Sequence, residues 1–192
     1  MSPTIKNIYS QQILDSRGNP TIETAVELTD GSMGVACVPS GASTGDKEAL
    51  ELRDKKQGWQ GKGVSLAISN IENKIKPMLF DKSPYDIKKI DRAMCNLDAT
   101  DNKSNLGANA ILAVSLANLK AGAASRRQHL YKYINEYINT HYNMTKMTIP
   151  IPMMNILNGG SHADNSIDIQ EFMIMPDGFS NYSEALQAGV EI

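Results

Sequence analysis

His162 and Glu171 stand nine positions apart, one in the polar stretch Asn158-Gly159-Gly160-Ser161-His162-Ala163-Asp164-Asn165-Ser166 and the other inside the apolar run Ile167 to Met175. A loop and the strand that follows it can bring such side chains to one pocket. Taken alone, a loop histidine reads more readily as bonded to nearby backbone. Glu171 is more telling, because burying an unpaired carboxylate is costly, so within an apolar run it lies on a solvated face or points into a polar site. Asp164 and Asp168 read as loop and strand-start residues rather than as ligands. A second segment with chemical potential is Pro39-Ser40-Gly41-Ala42-Ser43-Thr44-Gly45, whose small residues and backbone freedom suit a loop that moves onto a ligand; taken alone, it reads more readily as a flexible connector. It is not a phosphate-binding P-loop, since Gly45-Asp46-Lys47 stands where Gly-Lys-Ser/Thr is required.

The elements that must position these residues follow from periodicity. Ile22, Thr24, Val26 and Leu28 alternate with Thr21, Glu23, Ala25 and Glu27, which predicts a half-buried strand. Thr29-Asp30-Gly31-Ser32 predicts a turn, and Met33, Val35 and Cys37 alternating with Gly34, Ala36 and Val38 predict a strand folding back on the first. A strand over Ile5 to Leu14 completes a three-stranded antiparallel sheet. Leu66, Ile71, Ile75 and Leu79 recur at helical spacing from Ser65 up to a break at Pro77. Ser83 as N-cap and Pro84 at the first helical position then introduce a helix carrying Ile87, Ile90, Met94 and Leu97. A third helix runs from about Ala108 to Ser125, with Arg126 and Arg127 where cations favour a helix C-terminus. Strands followed by helices indicate an α+β domain over residues 1–140. Tyr131 to Met147 predicts a last helical stretch and then a polar connector over 141–147, leading to residues 148–192, where Ile149 to Leu157 and Ile167 to Met175 predict two strands and Asn181 to Ile192 the start of a helix.

Composition narrows the function classes. The 192 residues are 41% hydrophobic and 21% charged, with a formal charge of -2 and a pI near 5.9, the balance of a globular chain without the basic excess that nucleic-acid binding leaves. Cys37 and Cys95 are far apart with no second ligand at metal spacing, so they predict two buried free thiols rather than a zinc site or disulfide. No signal peptide opens the chain and nowhere do eighteen apolar residues run together, which predicts a cytoplasmic protein and no membrane partner.

Five separated motifs carry a resemblance that periodicity does not show: Ser16-Arg17-Gly18-Asn19-Pro20-Thr21, Pro39 to Gly45, Gly107-Ala108-Asn109-Ala110-Ile111-Leu112-Ala113-Val114-Ser115, Pro152-Met153-Met154-Asn155-Ile156-Leu157-Asn158-Gly159-Gly160 and Asp168-Ile169-Gln170-Glu171-Phe172. In this order they resemble an enolase of bacterial type, from near residue 5 to the end. The resemblance implies reversible dehydration of 2-phosphoglycerate to phosphoenolpyruvate in glycolysis, two Mg²⁺ ions, a homodimer in the full-length protein, and an amino-terminal α+β domain followed by an enolase-type β/α barrel. By the same resemblance Ser43 ligates the second Mg²⁺, His162 approaches the substrate's phosphate end, Gln170 and Glu171 contact substrate, and Glu171 lies near the leaving hydroxyl.

The resemblance also defines what to expect of this length. The family's lysine base, glutamate proton donor and principal magnesium carboxylates belong to later barrel strands, absent from this chain. A barrel of this kind takes about 250 residues, whereas 45 follow residue 147. The reading is therefore a truncated barrel of two strands and the start of a helix, inactive alone, with apolar faces that a domain, partner chain or aggregation must cover. The alternative is a non-catalytic enolase-like module that acts by associating with another chain.

Overall fold

The computed structural model describes residues 2–41, 45–55, 58–142, 147–160, 164 and 166–192. The chain divides into two compact units, Met1–His141 and Tyr142–Ile192.

In the first unit β1 (Ile5–Leu14), β2 (Pro20–Leu28) and β3 (Met33–Cys37) form an antiparallel sheet in the order β1-β2-β3. The β2–β3 turn is the one the Asp-Gly pair predicts: Ser32 N donates to Asp30 Oδ1 at 2.9 Å, Gly31 N to Leu28 O at 3.0 Å, and Gly31 takes the left-handed φ of 83° that a residue without Cβ adopts freely. Register places Ile8 opposite Val26 and Thr24 opposite Ala36. One face thus assembles Ile8, Ile22, Val26 and Ala36, all buried.

Helix α4 (Ala108–Ser125) covers that face, with Ala110, Ala113, Val114, Ala117 and Ala121 in the core. Its small residues let helix and sheet approach closely. At the tightest point a Cβ on Gly34 would sit 2.1 Å from the Ala121 nitrogen and 2.2 Å from the Ala117 oxygen. This explains which face of β3 is buried: Gly34 and Ala36 point inward while Met33, Val35 and Cys37 are exposed.

The expectation of two buried thiols is therefore corrected. Cys37 is exposed on the outer face and Cys95 is half-buried. Strand alternation settles Cys37, because the small residues had to take the helix side.

Two helix boundaries also differ from the sequence reading. Helical structure passes through Pro77 instead of breaking there: α1 (Ser65–Asn70), a π-helical turn (Ile71–Ile75) and α2 (Lys76–Leu79) run on continuously. Lys76 N donates to Ile71 O, five residues back, so the ladder shifts register just before the residue that lacks a donor. The buried stripe is Ala67, Ile71, Ile75 and Leu79, and Leu66 is exposed. The α1 amino terminus is capped from a distance, Asp54 accepting from Ser65 N at 3.0 Å and Leu66 N at 2.8 Å.

Helix α3 (Ile87–Asp98) begins after Asp86, not at Ser83-Pro84. The Pro84 carbonyl is held by the buried Asn118 amide of α4 at 3.0 Å, and the Tyr85 hydroxyl pairs with Ser125 Oγ at 2.9 Å, so this turn is docked on α4 and the helix starts beyond it. Its buried stripe is Ile90, Met94 and Asp98, with Leu97 exposed. Helix α5 (Leu130–Tyr142) ends the unit.

The second unit holds an antiparallel pair, β4 (Met154–Asn158) and β5 (Glu171–Ile174), followed by α6 (Tyr182–Glu191). Both strands are shorter than their apolar runs. Asn181 caps α6 by accepting from Glu184 N at 3.0 Å. The Met154 side chain lies over Gly189 of α6, its Sδ 2.2 Å from where a Cβ would sit. Among the described residues no helix is long and apolar enough to cross a membrane.

Candidate functional site

The sequence-predicted site residues lie in both units. Ser43 and His162 fall outside the described residues, as does the centre of the Pro39–Gly45 segment expected to move. Gln170 and Glu171 are placed, and both are exposed.

Glu171 is the first residue of β5 and pairs with Asn158, the last of β4. Immediately beyond, Gly159 N donates to the Gln170 carbonyl at 3.0 Å and Gly160 N to the Ile167 carbonyl at 2.7 Å. Gly159 is required by this approach, as a Cβ there would lie 2.4 Å from Ile169 O and 2.5 Å from Ile167 O, while Gly160 takes a left-handed φ of 56°. The Gly-Gly pair and the Gln170-Glu171 pair are thus two sides of one hairpin end. Glu171 accordingly satisfies the solvated-face alternative of the sequence reading. Its position at a strand end, on an element with fixed register, suits a group that must meet a ligand.

The stem of the other segment is built from the first unit. Val38 is pinned to β2, its N donating to Ile22 O at 2.9 Å and its carbonyl accepting from the buried Thr21 hydroxyl at 2.7 Å. Ser40 Oγ donates to Glu51 Oε2 at 3.0 Å, and Glu51 Oε1 is paired with Arg53 Nη2 at 2.5 Å. A cavity of about 270 Å³ opens beside the stem, lined by Ser40, Gly41, Glu48, Glu51 and Asn109 among others.

Asn109 holds the far wall. Its buried amide accepts from Leu52 N and donates to Leu52 O, both at 3.1 Å, so one side chain reproduces a strand-like pairing with the 50–53 segment. Gly107, at φ 98°, permits the approach.

Glu51 and Arg53 are not singled out in the sequence, and Ser40 and Asn109 stand there only as members of the Pro39–Gly45 and Gly107–Ser115 motifs. Periodicity is silent on all four, because Ser40 meets Glu51 11 residues away and Asn109 meets Leu52 57 residues away, and the Glu51–Arg53 stretch has no regular period.

The chain matches the family described as enolase, N-terminal domain, over residues 5–134, and that described as enolase, C-terminal TIM barrel domain, over residues 146–192. It belongs to the enolase family. The three-stranded antiparallel sheet with its helices is the enolase N-terminal α+β domain, and the β4–β5–α6 unit is a partial enolase barrel region.

The enolase family uses Mg²⁺. Among the described residues no three or more of His, Cys, Asp and Glu are grouped to hold a metal ion. Magnesium retains its waters and is bound through carboxylates together with substrate phosphates, so these residues do not by themselves make its site.

Proposed function

We propose that this chain supplies part of the active site of a bacterial-type enolase that interconverts 2-phosphoglycerate and phosphoenolpyruvate in glycolysis, within a longer cytoplasmic homodimer. The proposed partition is an α+β domain over 1–140, a connector over 141–147 and the beginning of the barrel over 148–192. The observation that carries the reading is the hairpin end, where Asn158-Gly159-Gly160 and Gln170-Glu171 meet in fixed register.

On that reading Glu171 receives or gives a proton at the departing hydroxyl, work for which a carboxylate at the mouth of a site is suited. Gln170 contacts the substrate through its polar side chain. His162 approaches the phosphate end, and Ser43 is a ligand for the second Mg²⁺. Of these four only Glu171 carries a carboxylate. The set therefore cannot hold the metal charge that an ene-diolate needs, and it contains no lysine to take the α-proton. The 192-residue chain alone is expected to be inactive.

Two assays of phosphoenolpyruvate formation test this. The purified chain with added Mg²⁺ should give no rate above background. Joined to the rest of the barrel of a full-length enolase it should support turnover, with Glu171→Gln lowering kcat by about 100-fold or more and His162→Ala raising KM. A chimera in which both variants behave as the unaltered protein would show that the assigned roles are wrong.

A second reading, a non-catalytic module acting by association, draws on the apolar side chains of the second unit: Ile156, Leu157, Phe172 and Met173 are all exposed. A chimera without turnover, together with a concentration-dependent self-associating 192-residue chain, favours it.

A further inference from the structure

Arg53 is not part of any helix or strand, yet three separate segments end on its guanidinium. Nη1 donates to the Pro20 carbonyl at 2.5 Å and to the Lys62 carbonyl at 2.6 Å. Nη2 donates to Glu51 Oε1 at 2.5 Å and lies 3.5 Å from Ser40 Oγ. The Arg53 side chain is only 16% exposed and that of Glu51 28%, so these charge-assisted bonds are partly shielded from water.

The two carbonyls belong to backbone that is itself held. Pro20 begins β2 directly after the turn in which Asp15 Oδ1 accepts from Arg17 N and Asn19 N, each at 2.8 Å. Lys62 Nζ donates to Asn19 Oδ1 at 2.9 Å, closing the ring of contacts. From this fixed frame the chain of bonds runs outward, from guanidinium to Glu51 and from Glu51 to the Ser40 hydroxyl. Val38, two residues earlier, is already fixed by β2. Ser40 is therefore the last described point before residue 42 at which a side chain fixes the stem.

We propose that Arg53 is a positioning residue for the Val38–Gly41 stem, acting through Glu51 on Ser40. This rests on the reading that the adjoining Pro39–Gly45 segment belongs to an enolase active site, and it adds to that reading the group which sets where the segment leaves the sheet. A planar fork can serve two carbonyls on one nitrogen and a carboxylate on the other. A single ammonium on a flexible stem cannot hold all three directions at once.

Backbone amide order parameters from 15N relaxation on the 192-residue chain test the proposal without any turnover. In Ser40→Ala the order parameters at positions 40 and 41 should fall from about 0.85 to below about 0.6, while those of β2 and α4 and the thermal midpoint stay as in the unaltered chain. Ser40→Thr, which keeps the hydroxyl, should restore the high values. Arg53→Lys should reproduce the Ser40→Ala pattern at the stem. Order parameters at the stem unchanged in both Ser40→Ala and Arg53→Lys overturn the proposal. So does a fall in Arg53→Lys that is equal in β2, α4 and the stem, because that is general loosening. If the stem responds as expected while the chimera described above gives no turnover, the positioning role stands and the enzymatic reading fails.

Discussion

Replacing Asp98 with asparagine should weaken the first unit more than its conservative chemistry suggests. Asp98 is fully buried at the end of α3 and receives four donors. Oδ2 accepts from Leu106 N at 2.7 Å and Asn105 N at 3.1 Å, and Oδ1 from Thr100 N at 3.0 Å and from the Thr100 hydroxyl. Burial pushes the carboxyl pKa up, but the donors from Thr100, Leu106 and Asn105 outweigh it and hold the pKa below the ordinary aspartate value. An asparagine keeps one acceptor oxygen and turns an amide nitrogen, itself a donor, toward two of these N–H groups. Charge-assisted bonds contribute about 1.5–3 kcal/mol each and an orphaned buried donor costs about 1–3 kcal/mol, so a loss of about 2–4 kcal/mol is expected. With a urea slope of about 2 kcal/mol/M the midpoint should fall by about 1–2 M. Trp59, the single tryptophan, is already exposed in the folded chain, so far-ultraviolet circular dichroism follows the unfolding of the helices of this unit. The sign of the pH dependence provides a control. The unfolded state holds more protons than the folded one between the two pKa values, so the contribution is complete above the ordinary aspartate range and is lost as pH falls through the lowered folded value. The gap between wild type and Asp98→Asn should therefore narrow on acidification. A midpoint shift below about 0.3 M at pH 7 with an unchanged slope would refute this account of the loop.

Four further outcomes are expected. Gly34→Ala should cost about 3 kcal/mol or more by the same urea assay, since its Cβ meets helix backbone and not a flexible side chain; Gly18→Ala, with open space but φ 75°, should cost only about 1 kcal/mol. Asp91 has its pKa raised by burial, offset in part by Ser115, and its Oδ1 is buried with no hydrogen-bond partner among the described residues, so Asp91→Asn should raise the urea midpoint slightly at pH 7. The Cys37 thiol is pushed up by partial burial and then by Glu23, whose Oε2 it contacts at 3.5 Å; Glu23→Gln should therefore speed its alkylation at pH 8 despite its already exposed position.

What the sequence made legible was set by local rules. Alternation over Thr21–Leu28, the Asp30-Gly31 turn and the apolar α4 all express a period or a turn requirement within a few residues, and the sheet and helix appear where those rules place them. The corrections arise where a distant partner overrode the local rule. Ser83-Pro84 is a sound helix start on paper, yet Asn118 of α4 holds the Pro84 carbonyl, and the helix waits until Ile87. Cys37 sits in an apolar strand, yet Gly34 had to face the helix because a Cβ there would meet the backbone of α4, and alternation from Gly34 turned the thiol outward.

The same distinction governs the candidate site. Glu171 could be singled out because a carboxylate in an apolar run is a local anomaly. Arg53 could not, because nothing in Glu51-Leu52-Arg53-Asp54 distinguishes a charged surface segment from one folded inward. Its neighbours show how the segment is converted. Leu52 is bonded by Asn109, Asp54 caps α1, and Arg53 points back to Pro20 and Lys62, so consecutive residues anchor one stretch of irregular chain to three different elements. An irregular segment has no ladder to satisfy its backbone, and here side chains from α4 and its own polar residues do that work. This anchors the Val38–Gly41 stem on one side without regular structure, and on the reading proposed above it is how a scaffold aims residues carried on a loop.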